Sequence, residues 1–324
     1  QAIVRYAYRS FDRQWAFDDP RWAKTESPSI WWSITPRQIF LTSMMTNKMN
    51  GGPAATIATA VPDFHHFRGS YGGKDVIPLY RDAKDTPNVD LATLKVLSEK
   101  LGTEIAVENL FSYTFGILAG TDYTMRFHDA LETPGPRVPL SADPHLFDQM
   151  VKHGEKLIWL QTFGERFGAR KLPTTGIKWK GEPSRIPEAK SDIMYDPDSE
   201  MLHVADGVLI GVPNGVWKFT VSGMDIIPKW LGYRMAKPAG RAASSDSPLD
   251  HIRPTSWSPE WSSELIEIVA AIKETLAIVP DGVALLEEII AGPLITAGEL
   301  PAVPPALRQP PRTKPDGMAE AGLF

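Results

Sequence analysis

The repeat of apolar residues changes character several times along this chain, and the order of those changes constrains the fold more than any single motif. Over residues 3–80 the period is two or broken: IVRYAYR (3–9) alternates apolar and polar, RQIFLTS (37–43) is strand-like, and VIPLY (76–80) is a short apolar run. Between them TNKMNGGPA (46–54) is a loop by its turn chemistry. From about 91 to 164 the period becomes helical. Asp143-Pro144 is an N-cap and first-turn pair, after which Leu146, Met150, Val151, Gly154, Leu157 and Ile158 recur at helical spacing until Gly164. A Pro- and Lys-rich connection (172–190) leads to a second strand-rich stretch, where MLHVADGVLIGV (201–212) is expected to pair with GVWKFTVSG (215–223), and DPDSE (196–200) to form a hairpin turn. Ser258-Pro259 opens a helix with Leu265, Ile268, Val269, Ile272 and Leu276 on one face, and Asp281 to Ala291 predicts another. Sheet, helices, sheet, helices is the order of an α+β protein with antiparallel or mixed sheets and segregated helices, not of a βαβ fold. Residues 1–292 read as one domain or as two lobes, 1–165 and 166–292, followed by an extended Pro- and Ala-rich tail over 293–324.

Several chemistries are excluded. The chain has no cysteine, so disulfides, thiolate metal sites and cysteine nucleophiles are out. No window approaches the run of about 20 apolar residues that crosses a bilayer, and no signal peptide opens the chain, so a cytoplasmic protein without membrane contact is expected. It begins at Gln1 and enters a strand pattern by Ile3, as an excised fragment would. GSYGGKD (69–75) has the wrong spacing for a phosphate-cradling loop and Asp75 where a hydroxyl would hold magnesium. Neither G-x-G-x-x-G, G-x-S-x-G nor H-E-x-x-H stands in the required context, and the Asn/Asp-Pro-Pro-aromatic signature of N6-adenine methyltransferases does not occur. One enzymatic pattern remains: Pro62-Asp63 followed by Asp82-Ala83-Lys84 matches the loose PD…(D/E)xK nuclease signature, in which two carboxylates hold magnesium and a lysine faces the phosphorane. Asp82 and Lys84 fall in what reads as a charged loop. His65 and His66, adjacent on an extended strand, would point to opposite faces, one buried and one exposed. No catalytic residue and no metal is expected in this chain itself.

Net charge is −5, but its distribution is uneven. Residues 27–62 carry two cations, Arg37 and Lys48, and no carboxylate. Residues 226–245 carry four, Lys229, Arg234, Lys237 and Arg241, again with none. Between 166 and 190 seven cations face two carboxylates. These stretches are expected to share one face and form a positive groove despite the net charge.

YAYRSFDRQW (6–15) resembles the Tyr-Arg-Pro-Phe-Asp-x-Arg segment that follows the methyltransferase core in type ISP restriction-modification enzymes and related adenine methyltransferases. Further similar pieces come in family order: PRQ (36–38), IPLY (77–80), FGILAGTDYTMRF (115–127), PRVPL (136–140), LFDQMVKHGEKLIWLQTFG (146–164), DIIPKWLGYR (225–234) and SPLDHIRPTSW (247–257). The chain departs from the pattern at Ser10, where proline is usual, and at Gln161, where histidine often stands. The resemblance implies a target-recognition-domain-like specificity module. Its parent polypeptide would carry nuclease, translocase and methyltransferase modules upstream that use Mg2+, ATP and S-adenosylmethionine, with no cofactor in this fragment. The partners implied are double-stranded DNA and those upstream modules.

A recognition module holds phosphates with Arg and Lys and reads base edges with a few loop side chains. Arg37, Asn47, Lys48 and Asn50 flank Gly51-Gly52 in an acid-free loop and are the base-reading candidates. Lys178, Lys180, Lys229 and Arg241 suit phosphates, and Arg234 joins them as a DNA-contacting cation. Two alternatives stand beside this reading: a coupling module that docks methyltransferase to translocase, which the net acidity favours, and the PD-(D/E)xK-like nuclease.

Overall fold

The structure, a computed structural model, describes residues 3–17, 28–68, 75–168, 171–236 and 254–311. They form two compact units, the first comprising Gln1–Ala169, Val221–Gly223 and Ile278–Phe324, the second Arg170–Thr220 and Met224–Ala277.

In the first unit β1 (Ile3–Arg9) and β2 (Asp12–Phe17) make an antiparallel hairpin, turned through Phe11 at φ 64°. A short helix, α1 (Pro28–Trp32), precedes a second sheet in which β3 (Phe40–Ser43) lies between β4 (Ala55–Ala58) and β6 (Asp75–Pro78). The intervening β5 (Val61–Pro62) adds to β1 in parallel. Tyr6, Phe40 and Val61 join the two sheets in one buried cluster. The helical stretch follows as α2 (Leu91–Leu101), α3 (Val107–Leu118), α4 (Tyr123–Arg126) and, after the short β7 (Leu140–Ser141), α5 (Pro144–Gln161). Asp143 caps α5 as the sequence predicts, accepting from the His145 and Leu146 N–H groups at 2.8 and 3.2 Å.

Helices α3 and α5 meet through glycine. A Cβ on Gly154 would stand 1.8 Å from the Ser112 carbonyl oxygen, and one on Gly116 would stand 3.2 Å from the Gly154 Cα. No side chain fits there, which allows a close backbone approach.

The YAYRSFD segment is architectural. Arg9, Ser10 and Asp12 are all buried; Arg9 pairs with Asp63, which also accepts from the Tyr6 hydroxyl at 3.1 Å. Ser10 gives its N–H to the His66 carbonyl at 2.9 Å and its hydroxyl bonds Thr56 at 2.8 Å, two partners a proline could not supply. His65 and His66 lie in a turn after β5, not on a strand. His66 is buried and bonds the Thr42 hydroxyl through Nδ1 at 2.8 Å, while His65 is half-buried.

The second unit is built on a four-stranded antiparallel sheet, ordered β8 (Lys178–Trp179), β11 (Gly207–Ile210), β10 (Met201–Val204), β9 (Ile193–Asp196). The DPDSE stretch does connect β9 to β10 as a tight turn. MLHV pairs with GVLI inside the same segment, not with residues 215–223. Those instead form α6 (Asn214–Trp217), which begins after Pro213, and then β12 (Thr220–Val221), which pairs with β13 (Met224–Asp225). Alternation was misleading there because Val216 is buried from a helical turn and Trp217 stacks on Tyr195, centroids 5.0 Å apart. After α7 (Ile226–Gly232), the two expected C-terminal helices are one, α8 (Pro259–Ala291), which continues through Pro280. A proline inside a helix costs about 3 kcal/mol. Burial of Leu265, Ile268, Val269, Ile272, Leu286 and Ile289 at helical spacing on both sides of it offsets that cost.

Part of the stretch expected as an extended tail is tied down. β14 (Leu294–Ile295) pairs with β7, Lys100 bridges to Glu299 at 2.7 Å, and Arg81 donates to the Leu307 and Gln309 carbonyls at 2.8 and 2.7 Å. Residues 312–324 lie outside the described residues.

Two outcomes follow for the folded chain. Gly154→Ala is expected to lower stability by about 1–3 kcal/mol through overpacking, whereas Gly232→Ala, with nothing within 4 Å of the added Cβ, should not do so by that route; urea unfolding of each reads the difference. Burial, aided by the Arg9 charge, pushes the His66 pKa down to about 3. Below about pH 6.5 the unfolded chain takes up the proton and the folded one does not. Stability is therefore lost as pH falls through that window, by at most about 1.4 kcal/mol per pH unit from this residue. Unfolding between pH 7 and 5.5 should show a shallower decline in His66→Gln than in the wild type; equal slopes would contradict this.

Candidate nucleic-acid interface

The connection between β3 and β4, residues 44–54, is held at both ends and open in the middle. Met44, Met49, Pro53 and Ala54 are buried, while Thr46, Asn47, Lys48, Asn50 and Gly51 are exposed. At its start the Met45 N–H donates to the Asp75 carboxylate at 2.7 Å. At its end the Ala54 N–H donates to the Leu118 carbonyl at 2.7 Å, and the Thr124 hydroxyl donates to the Gly52 carbonyl at 2.8 Å. In between, the Asn50 N–H reaches the Ser222 hydroxyl at 3.4 Å. Gly51 and Gly52 have φ of 34° and 83°, and a Cβ on Gly51 would meet nothing within 4 Å. The loop is thus a fixed scaffold with two exposed asparagines, a lysine and an approachable backbone.

Arg37 is not part of that cluster. It precedes β3 whereas the loop follows it, so the strand's four residues, roughly 13 Å of extended chain, separate the two. The stretch that is acid-free in sequence is also not acid-free in space. Arg37 pairs with Asp85 at 3.3 Å and Glu108 at 2.5 Å and lies over the Tyr80 ring, and Lys48 pairs with Glu132. Those carboxylates come from segments 48 to 84 residues away, beyond the reach of a window along the chain.

In the second unit Lys178, on the edge strand β8, and Lys180, just beyond its end, flank Trp179. Trp179 turns inward, its indole N–H donating to the Ser262 carbonyl at 3.1 Å, so strand alternation sets both lysines on the opposite, exposed face. Neither has a carboxylate partner among the described residues. Lys229 is exposed on α7 with its ammonium 5.5 Å from the Tyr233 ring centroid. Arg234 must be corrected: its side chain is 3% exposed, lies 3.6 Å over the Trp230 ring and 3.5 Å from the Glu264 carboxylate, and donates to the Trp230 carbonyl. It belongs to an aromatic core with Trp230, Trp257 and Trp261 and cannot reach a phosphate. From 166–190, Arg166 donates to the Gln38 carbonyl and Arg185 pairs with Asp192, so these too have structural partners. Arg241 lies outside the described residues.

The nuclease residues are not brought together as a metal site. Asp63 holds Arg9 and Tyr6, and Asp82 accepts from the Lys84 and Thr86 N–H groups as the head of a turn. Among the described residues no group of three or more His, Asp or Glu is placed to hold a metal ion, and no helix is long and apolar enough to cross a membrane. The loop anchors Thr124 and Ser222 were not anticipated. They act across 72 and 172 residues of sequence, with no local signal to mark them.

Comparison with curated proteins yields no match. Among solved structures, similar folds occur in a nuclease-deletion mutant of the type ISP restriction-modification enzyme LlaGI in complex with a DNA substrate mimic (TM-score 0.58, 17% identity, 86% of this chain and 20% of that one). A DrdV–DNA complex seen by cryo-electron microscopy is also similar (TM-score 0.63, 17% identity, 90% and 28%), as is the ATP-dependent type ISP restriction-modification enzyme LlaBIII bound to DNA (0.60, 14%, 90% and 18%). At such identities the likeness is one of fold, and this chain spans only 18–28% of those chains' lengths. The family model of the type ISP C-terminal specificity domain matches residues 1–268, and the chain belongs to that family.

Proposed function

We propose that this chain recognises a duplex DNA sequence as the specificity module of a larger restriction-modification polypeptide. Methyl transfer, ATP-driven translocation and cleavage, with S-adenosylmethionine, ATP and Mg2+, would belong to other modules of that polypeptide. This chain would contribute binding energy and no chemistry of its own, in keeping with the missing catalytic motifs and the structural duties of Asp63 and Asp82.

The observation that carries the reading is the braced β3–β4 loop. Asn pairs bidentately with adenine, and Lys with guanine, at the major-groove edge. Discrimination needs those groups held where a wrong base leaves them unsatisfied, which a loop fixed by four anchoring hydrogen bonds provides and a free one does not. Lys178, Lys180 and Lys229 are exposed point charges suited to phosphates, which contribute affinity without sequence information.

Base reading and phosphate binding leave different signatures. With a target site selected from a random duplex library by the parent polypeptide, Asn47→Ala is expected to cost about 1–3 kcal/mol on that site and relax discrimination at one base pair. Lys180→Ala should weaken target and random duplex alike and lower the salt slope by about one. If Asn47→Ala left affinity and site preference unchanged, the loop would be scaffold. Loss of the salt dependence altogether would favour the coupling-module reading.

A further inference from the structure

Lys48 is the one cation of the exposed loop, and it is already occupied by Glu132. An ion pair whose side chains are 46% and 59% exposed contributes little to stability, about 0–1 kcal/mol, and the loop has its own anchors. The carboxylate is nonetheless fixed with care. It ends the 3-10 turn Ala130–Glu132. The Arg137 guanidinium braces that turn by donating to the carbonyls of Ala130, Thr133 and Gly135 at 2.8, 3.4 and 3.4 Å. The Tyr123 hydroxyl holds the following segment, donating to the Arg137 carbonyl at 2.6 Å and accepting the Arg137 N–H at 2.9 Å. The segment that follows the turn reaches the base of the loop, since a Cβ on Gly135 would stand 3.5 Å from the Met45 carbonyl oxygen. Lys178 and Lys180 have no such partner among the described residues. The lysine among base-reading groups is restrained by a carboxylate, and the lysines suited to phosphate are not.

We propose that Glu132 is an intramolecular surrogate for DNA at Lys48: it occupies the lysine until a target duplex displaces it, and so determines how weakly the chain binds random DNA. This rests on the reading of the loop as DNA-contacting. For Lys48 the exchange replaces one anion by another, so a random duplex that offers only phosphates gains almost nothing at this position and approaches a released carboxylate that repels it. A target duplex also engages Asn47 and Asn50 through base edges, and that surplus drives the displacement. Specificity would then come from a penalty on the wrong sequence as well as from contacts with the right one.

Glu132→Gln keeps the shape and removes the charge at an exposed position, so the fold is not at issue. Binding of the full chain to a random duplex, followed by fluorescence anisotropy across a salt series, should tighten roughly three- to tenfold near 0.1 M salt, with the slope steeper by about one. In the Lys48→Ala background the same Glu132→Gln change should give a clearly smaller gain, since only the repulsion by the carboxylate is left to remove. Unchanged random binding in Glu132→Gln would overturn the proposal, and so would a gain of equal size with and without Lys48, because it would then reflect net charge and not this pair. Lys180→Ala in the same series separates the two levels. If it weakens binding while Glu132→Gln does nothing, the surrogate role fails and the DNA reading stands. If wild-type binding shows no salt dependence at all, the DNA reading fails and takes the surrogate with it.

Discussion

The placement of the candidate base-reading loop depends on how the β3–β4 connection is tied. Two of its anchors come from the helical layer, the Leu118 carbonyl at the end of α3 and the Thr124 hydroxyl on α4. The helices sit where they do because α3 and α5 approach through Gly116 and Gly154. The chain of cause runs from two residues without side chains, to a close helix pair, to the position of the helix ends, to the loop they hold. In the second unit the corresponding constraint is the Trp230, Trp257 and Trp261 cluster with Arg234 against it, beneath which Trp179 turns inward and leaves Lys178 and Lys180 exposed.

The α+β class, the Asp143 cap, the hairpin turn at 196–200 and the loop character of 46–54 were all legible, because each rests on local chemistry: periodicity, a capping side chain, turn residues. Three structural expectations failed where tertiary packing overrides local preference. Pro280 reads as a helix break, yet buried residues on both sides carry α8 through it. Residues 215–223 alternate like a strand but bury Val216 from a helical turn. Arg234 stands in a window without acids, and its partner Glu264 arrives from a helix 30 residues later.

The same blindness explains the charge problem. A count along the chain finds basic windows in a protein of net charge −5 and suggests free cations. In space Arg37 and Lys48 are held by carboxylates from distant segments, while Lys178, Lys180 and Lys229 have no such partner among the described residues. Net acidity and DNA binding are compatible when the acids that offset the sum are paired to particular cations, since potential at a surface is set locally within a Debye length of about 10 Å. The family motif at 6–12 carries none of this. Its Tyr6, Arg9 and Asp12 are buried, so the most recognisable stretch of the chain is architectural.

The most direct measurement is a structure of the parent polypeptide bound to its target duplex. The account predicts an amide of Asn47 or Asn50 within hydrogen-bond distance of a base edge in the major groove, with Lys178 and Lys180 against phosphates and Arg234 still stacked on Trp230. A duplex that passed elsewhere, leaving residues 46–53 packed against protein or facing solvent, would contradict it.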